Sequence, residues 1–336
     1  MDLPPGYELR APTADDADAV ANVLADARQT VLDADFLRDE WSRAGFDLAT
    51  DAWLVVDDEG TVIAYAQALR DEPSIVEGWG VVHPNHRGRG IGASLMNRIE
   101  QRAPELVAGL PSVRFRHAIG ADDRAAAAML RARGLRCVRH FWHMRIDLVG
   151  PVEPGPAPEG IEITGIVAPD DLPAVHTVLE EAFADDWGYH PEPFHTWAEE
   201  QMTSPSYDPT LWLLAMAGSE PVGALTANIW GDRGWVNEIG VLPPHRGRGI
   251  GSAFLRRSFA TFARRELKSV LLNVDAENPT GATVLYERVG MRVVNRWELW
   301  ERSSVSPPSR SRAERPAGRQ PSRDRPGPLL GGGEGI

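Results

Sequence analysis

Apolar residues recur along this chain in two rhythms, and the whole series of rhythms appears twice. The first series opens on a strand-like Tyr7-Glu8-Leu9-Arg10 and a helical stretch at Ala17–Ala27. Alternating apolar positions then run through Trp53–Val56, a turn at Asp57–Gly60, and Val62–Ala68. After the apolar pair Val81-Val82 comes a helix pattern marked by Leu95, Met96 and Ile99, then a strand over Val113–Ile119. A helix ending on Gly134-Leu135, a C-cap signal, closes the series. The second series has Ile161-Glu162-Ile163, a helix at Leu172–Phe183, and a hairpin of Leu211–Ala215 and Val222–Ala227. It continues with Gly240-Val241-Leu242, a helix through Leu255, Phe259 and Phe262, a strand at Val270–Val274, and a helix ending on Gly290-Met291. Each half reads β-α-(α)-β-β-β-loop-α-β-α-β, a mixed α/β domain in duplicate.

Between the halves, Gly150–Gly160 holds four Pro and three Gly, a stiff extended linker. From Ser303 on, the chain is Arg, Pro, Gly and Ser with almost no apolar content, which predicts an unfolded tail. The expected division is therefore 1–150, a linker at 151–160, 161–302, and a tail at 303–336. Acidic residues outnumber basic ones 48 to 35, a net charge of −13. That balance argues against a nucleic-acid partner, whose phosphates call for clustered Lys and Arg, and suits a cationic small molecule or a basic peptide. The single cysteine, Cys137, excludes an internal disulfide and a cysteine-rich zinc site. His83-x-x-His86 and His140-x-x-His143 have ligand-like spacing without a third ligand, so no metal is expected. With no signal-peptide pattern and no apolar run near 18 residues, the expectation is a cytoplasmic protein without a membrane partner. Its oligomeric state is not legible.

The strongest motif is His86-Arg87-Gly88-Arg89-Gly90-Ile91-Gly92, repeated letter for letter as His245-Arg246-Gly247-Arg248-Gly249-Ile250-Gly251. Each copy lies between a strand and a helix. There glycines let the backbone close on a ligand, and the free N–H groups of the helix start favour an anion. A dinucleotide fingerprint fits Gly88-x-Gly90-x-x-Ala93 only formally, because the loop follows the fourth strand and not the first. A P-loop is excluded, since no Lys-Ser/Thr follows the glycines.

Both halves resemble the GCN5-related N-acetyltransferases. Arg87-x-x-Gly90-x-Gly92 and Arg246-x-x-Gly249-x-Gly251 match that family's cofactor signature. Asn278, then Leu285-Tyr286 and Gly290-Met291, match its second signature. The tandem layout is similar to that of mycothiol synthase. The resemblance implies two tandem domains, each a mixed, mostly antiparallel sheet flanked by helices, and acetyl-CoA as donor. It assigns cofactor contacts to Val82, Arg87, Gly88, Arg89, Gly90, Ile91 and Gly92 in the first half. In the second half they fall to Ile239, Val241, Leu242, Arg246, Gly247, Arg248, Gly249, Ile250, Gly251, Ser252 and Asn278.

Acetyl transfer to an amine needs the amine deprotonated, the oxyanion met by an N–H, and the leaving thiolate protonated. The resemblance places the N–H near Val241 and the acid at Tyr286. Four residues before the helix-ending glycine, the first half has Leu130 where the second has Tyr286, so chemistry is expected in the second half alone. For the base, Glu238 is the one ionisable residue near the loop on its strand. In many relatives the acids stand where Trp235 and Asn237 stand here. A β-bulge could exchange the faces, or Asn237 could order a water that passes the proton to Glu238, Asp185 or Asp186. A surface role for Glu238 stays open. The acceptor is expected to be a small-molecule amine: an amino-sugar or thiol metabolite, or an antibiotic. The alternatives are a peptide or protein N-acetyltransferase and a non-catalytic acyl-CoA-binding regulatory module.

Overall fold

A computed structural model describes residues 3–27, 32–43, 45–72, 74–107, 110, 112–278 and 280–305. The chain forms two compact units. One comprises the chain through Val138 and the segment from Trp297; the other comprises Arg139–Arg296.

Unit 1 contains β1 (Tyr7–Arg10), α1 (Ala17–Asp26), α2 (Ala34–Trp41), α3 (Leu48–Asp51), β2 (Ala52–Asp57), β3 (Val62–Glu72) and β4 (Ile75–Val82). It continues with α4 (Ile91–Leu106), β5 (Ser112–Gly120) and α5 (Arg124–Ala132). The strand that follows, β6 (Arg136–Asp147), leads into unit 2 with β7 (Glu162–Gly165), α6 (Leu172–Phe183), α7 (Phe194–Thr203), β8 (Leu213–Ala217) and β9 (Glu220–Trp230). Then come β10 (Arg233–Val241), α8 (Ile250–Arg264), β11 (Ser269–Asp275), α9 (Ala282–Arg288) and β12 (Arg292–Val305). Both sheets are mixed. Neighbours pair antiparallel except at β4–β5 and β10–β11, which are parallel. Parallel neighbours need a crossover, and α4 and α8 supply it, each starting at a glycine loop.

The strand order in unit 1 is β1-β2-β3-β4-β5-β12, and in unit 2 it is β7-β8-β9-β10-β11-β6. Each half thus sends its last strand into the other unit's sheet. β12 pairs with β5 from Trp297↔Gly120 to Val305↔Ser112, and β6 pairs with β11 from Phe141↔Asp275 to Asp147↔Ser269. This departs from the expected division at the linker. A C-terminal strand satisfies any open antiparallel edge of the right register, and periodicity does not say whose edge that is. Two smaller departures follow. Ser303 belongs to β12, not to an unfolded tail, and residues 306–336 of that tail lie outside the described residues. The linker residues Val152 and Ala157 pack on the unit 2 core. No helix among the described residues is long and apolar enough to cross a membrane.

Candidate active site

Two local features build the site of unit 2. The first is the glycine loop. Gly247 (φ 74°) and Gly249 (φ 89°) are both left-handed, and Gly249 is the N-cap of α8. The helix ladder begins with Ala253 N–H donating to Gly249 C=O at 3.0 Å. The N–H groups of Ile250, Gly251 and Ser252 therefore have no partner within the helix, an arrangement that suits a diphosphate. Arg246 braces this loop: its Nε donates to Val241 C=O at 3.0 Å and its Nη2 to Ala182 C=O at 2.9 Å. Arg248 donates to Glu159 C=O at 3.1 Å. Ile239, Val241, Leu242 and Ile250 are buried in one core with Tyr286, which α9 carries and whose hydroxyl is buried. Asn278 shapes the entry to α9, its Oδ1 accepting from Thr280 N–H at 2.8 Å.

The second feature is a bulge in β10. Its pairing with β9 slips by one residue between Val236 and Glu238, with Asn237 as the extra residue. Before the bulge, a Cβ on Gly234 would strike Phe262 of α8; after it, a Cβ on Gly240 would strike Ala182 of α6. Residues of equal parity have changed face, as an inserted residue requires. Glu238 shares its face with Gly240, and Thr226 Oγ1 donates to its Oε2 at 3.2 Å. Asn237 Nδ2 donates to Asn228 Oδ1, and Asn228 Nδ2 in turn to Ser206 Oγ at 2.9 Å. Thr226, Asn228 and Ser206 did not emerge from the sequence reading; the available signal was Thr226 and Asn228 alternating within apolar β9. Trp235 is buried, its ring 5.0 Å from that of Trp230 and 5.6 Å, edge-on, from His143. Trp187, near Asp185 and Asp186 in sequence, lies under the Arg139 guanidinium at 4.9 Å.

Unit 1 repeats the loop and omits the bulge. Gly88 and Gly90 are left-handed (φ 75° and 86°), and Gly90 caps α4. The first N–H in that ladder is Ser94, donating to Gly90 C=O at 3.0 Å, which leaves Ile91, Gly92 and Ala93 free of the helix. Arg87 Nε donates to Val82 C=O at 3.2 Å, and Arg89 Nη1 to Tyr7 OH at 2.6 Å. A cleft of about 240 Å³ runs from this loop between α4, α5 and the β4–β5 pair. From Val82 to Val76, β4 pairs with β3 without a slip. On the sheet face opposite Gly78 a buried polar chain fills the space. Trp41 Nε1 donates to Tyr65 OH at 2.7 Å, Tyr65 OH to Gln67 Oε1 at 2.5 Å, and Gln67 Nε2 to Glu40 Oε1 at 3.1 Å. Trp79 packs 5.2 Å from Tyr65. Burial holds the Tyr65 phenol well above its usual range. Leu130 is fully buried where unit 2 has Tyr286.

The model of the Acetyltransferase (GNAT) family matches residues 19–135 and again 173–291. The chain belongs to this family, as a tandem N-acetyltransferase. A mycothiol acetyltransferase of Thermobispora bispora is 33% identical over 234 residues, 65% of this chain and 72% of that protein. One from Streptomyces griseus is 30% identical over 307 residues, 85% of this chain and 92% of that protein. Among solved structures, a GCN5-related N-acetyltransferase from Sphaerobacter thermophilus has a TM-score of 0.77 at 34% identity. That match covers 90% of this chain and 97% of that one. The family uses acetyl-CoA or another acyl-CoA as donor.

Proposed function

We propose that unit 2 transfers the acetyl group of acetyl-CoA to the amine of a small molecule, and that unit 1 holds the carrier without performing the transfer. The observation carrying this reading is the bulge at Asn237, present in β10 and missing from β4. It turns Glu238 toward α6, leaves a local break in the ladder, and stands in the same unit as the glycine loop and Tyr286. In the proposed reaction Glu238 accepts the ammonium proton, directly or through a water ordered by Asn237. The amine nitrogen then bonds to the thioester carbon, the N–H of Val241 meets the oxyanion, and the C–S bond breaks as Tyr286 gives its proton to sulfur; the second proton shed by the acylated nitrogen passes to the Tyr286 phenolate, leaving the amide, the free thiol and a neutral tyrosine. The loop N–H groups of Ile250, Gly251 and Ser252 bind the diphosphate, flanked by Gly247, Arg248 and Gly249. Arg246 holds the loop in shape, and Asn278 sets the entry to α9.

In unit 1 the same cradle, with Arg87, Gly88, Arg89, Gly90, Ile91 and Gly92 beside Val82, faces Leu130 in place of an acid. Its opposite sheet face is plugged by Trp41, Tyr65 and Trp79. The mycothiol acetyltransferase relatives support an amine on an amino-sugar or thiol metabolite. Thiol release from acetyl-CoA, followed across a panel of small amines and basic peptides, tests the reading. Turnover with a small amine that Tyr286→Phe abolishes supports it, and turnover only with peptides overturns the acceptor class. Binding of acetyl-CoA without turnover on any amine would favour the regulatory module.

A further inference from the structure

The segment that joins the two repeats is seated against the unit 2 cradle. Residues 150–160 all belong to unit 2, and Val152 and Ala157 pack on its core. A Cβ on Gly155 would lie 3.4 Å from Arg256 Cδ of α8, and one on Gly249, the N-cap of that helix, 3.9 Å from Pro158 Cγ. The segment ends in a turn at 158–161, closed by Ile161 N–H donating to Pro158 C=O at 3.1 Å. Gly160, the third residue of this turn, has φ 70°. A positive φ at the third residue is the mark of a type II turn, whose central peptide is flipped relative to that of a type I turn. Here the central carbonyl is that of Glu159, and it accepts from Arg248 Nη2 at 3.1 Å. The glycine at 160 therefore decides whether this carbonyl meets Arg248.

Arg248 is exposed, and its Nη1 donates to His245 Nδ1 at 3.0 Å. Among the described residues no carboxylate pairs with it. A guanidinium carries five N–H donors in one plane. Two of them fix that plane, and the others stay open beside the first N–H groups of α8. The side chain is thus ordered before any anion arrives, so less freedom is lost on binding. Unit 1 reaches the same placement by different chemistry. Gly6, just before β1, also has positive φ (85°), and Arg89 is held by Tyr7 OH at 2.6 Å and Asn85 C=O at 3.2 Å. In each unit the second arginine of the loop is tied to the residues that enter the first strand, by a side chain in one and by a backbone carbonyl in the other. One placement kept by two chemistries argues that the placement itself matters. We infer that the turn at 158–161 is a working part of the unit 2 carrier site, in which Gly160 is a positioning residue that, through the Glu159 carbonyl, holds Arg248 ready for the phosphates of acetyl-CoA. The inference rests on the reading that the unit 2 loop takes that diphosphate.

Calorimetry on the full chain carrying Gly90→Glu, which sets a carboxylate in the unit 1 cradle, reads coenzyme A at unit 2, with each variant shown to be folded by circular dichroism. Gly160→Ala fits the space, where the nearest atom is Arg248 Nη2 at 3.8 Å, but not the positive φ, and should weaken coenzyme A about fivefold. Gly160→Asn, which tolerates that φ, should restore most of the affinity. Arg248→Ala should weaken coenzyme A about tenfold, and adding Gly160→Ala to it should cause no further loss, because the turn acts through that side chain. Coenzyme A binding equally to the Gly160→Ala chain, or the same loss from Gly160→Ala whether or not Arg248 is present, overturns the positioning role and leaves the unit 2 loop standing as the carrier site. If the Gly90→Glu chain binds no coenzyme A, the reading of the unit 2 loop is overturned and the role of the turn with it.

Discussion

Arg116 of β5 and Glu301 of β12 form a 3.0 Å ion pair across 185 residues of chain, with side chains 5% and 14% exposed. They face each other in register on the edge that the last strand of the chain completes. The same strand sends Trp300 into the unit 1 core, so unit 1 is assembled from both ends of the sequence. A fragment of residues 1–150 should therefore not fold alone, and neither should 161–336, which lacks β6. Co-expressed, the two should recover a folded pair by circular dichroism and size exclusion. Glu301→Gln removes a carboxylate from the buried Arg116 guanidinium and should lower stability by about 3 kcal/mol in urea denaturation.

Tyr286 and Leu130 occupy matching places in α9 and α5 and are both fully buried. Tyr286→Phe keeps the packing and removes the proton donor. Its turnover should fall by about 100-fold or more with acetyl-CoA affinity near the parent value. Leu130→Ala should lower stability by about 3 kcal/mol and leave the turnover of the folded protein unchanged.

At the bulge, Glu238→Gln should lower kcat/KM by about 100-fold, most strongly for amines of high pKa, which depend most on losing a proton. Thr226→Val, which removes the hydroxyl held against Glu238, should produce a smaller loss and displace the acidic limb of the kcat/KM profile. A Glu238→Gln protein with parent rates across the amine panel would assign the base elsewhere.

Two buried imidazoles set an acid limit on stability. Burial lowers His117 to about 4 and His143 to about 3, against an ordinary 6.5. Both are neutral in the fold, and the unfolded chain takes up their protons first. Their contribution is present above pH 6.5 and is lost as pH falls from there through the folded values, at about 1.4 kcal/mol per pH unit for each ring. Urea midpoints at pH 7.5 and 5 should differ accordingly, and His117→Leu should remove about half of the change. The Asp16 carboxyl, held near 2 by Arg10, acts in a lower window, from its ordinary 3.8 downward.

Gly249 tests the cradle by conformation. At φ 89° an L-alanine is strained, and the turn that aims the N–H groups of α8 should be lost. Gly249→Ala should weaken acetyl-CoA binding at unit 2 by about tenfold or more and abolish most turnover. Gly90→Ala should remove one equivalent of bound carrier and leave turnover in place. Titration calorimetry alongside thiol release separates the two.

By itself the sequence determined whatever depends on neighbours along the chain. The repeated glycine loop, the helices behind it at Ile91 and Ile250, the hairpins, and the contrast of Tyr286 with Leu130 are all local patterns, fixed by period, turn chemistry and backbone freedom. Three features were decided only by tertiary structure. The exchange of β6 and β12 depends on which sheet edge lies open when the strand arrives. The face presented by Glu238 depends on a one-residue slip against β9, which alternation in β10 cannot register because a bulge reverses parity without altering composition. The burial of His117 Nδ1 without a hydrogen-bond partner among the described residues depends on Gly78 and Ile99, which pack around it from two other elements. Register and burial are properties of pairs of segments, and a single chain read in order does not contain them.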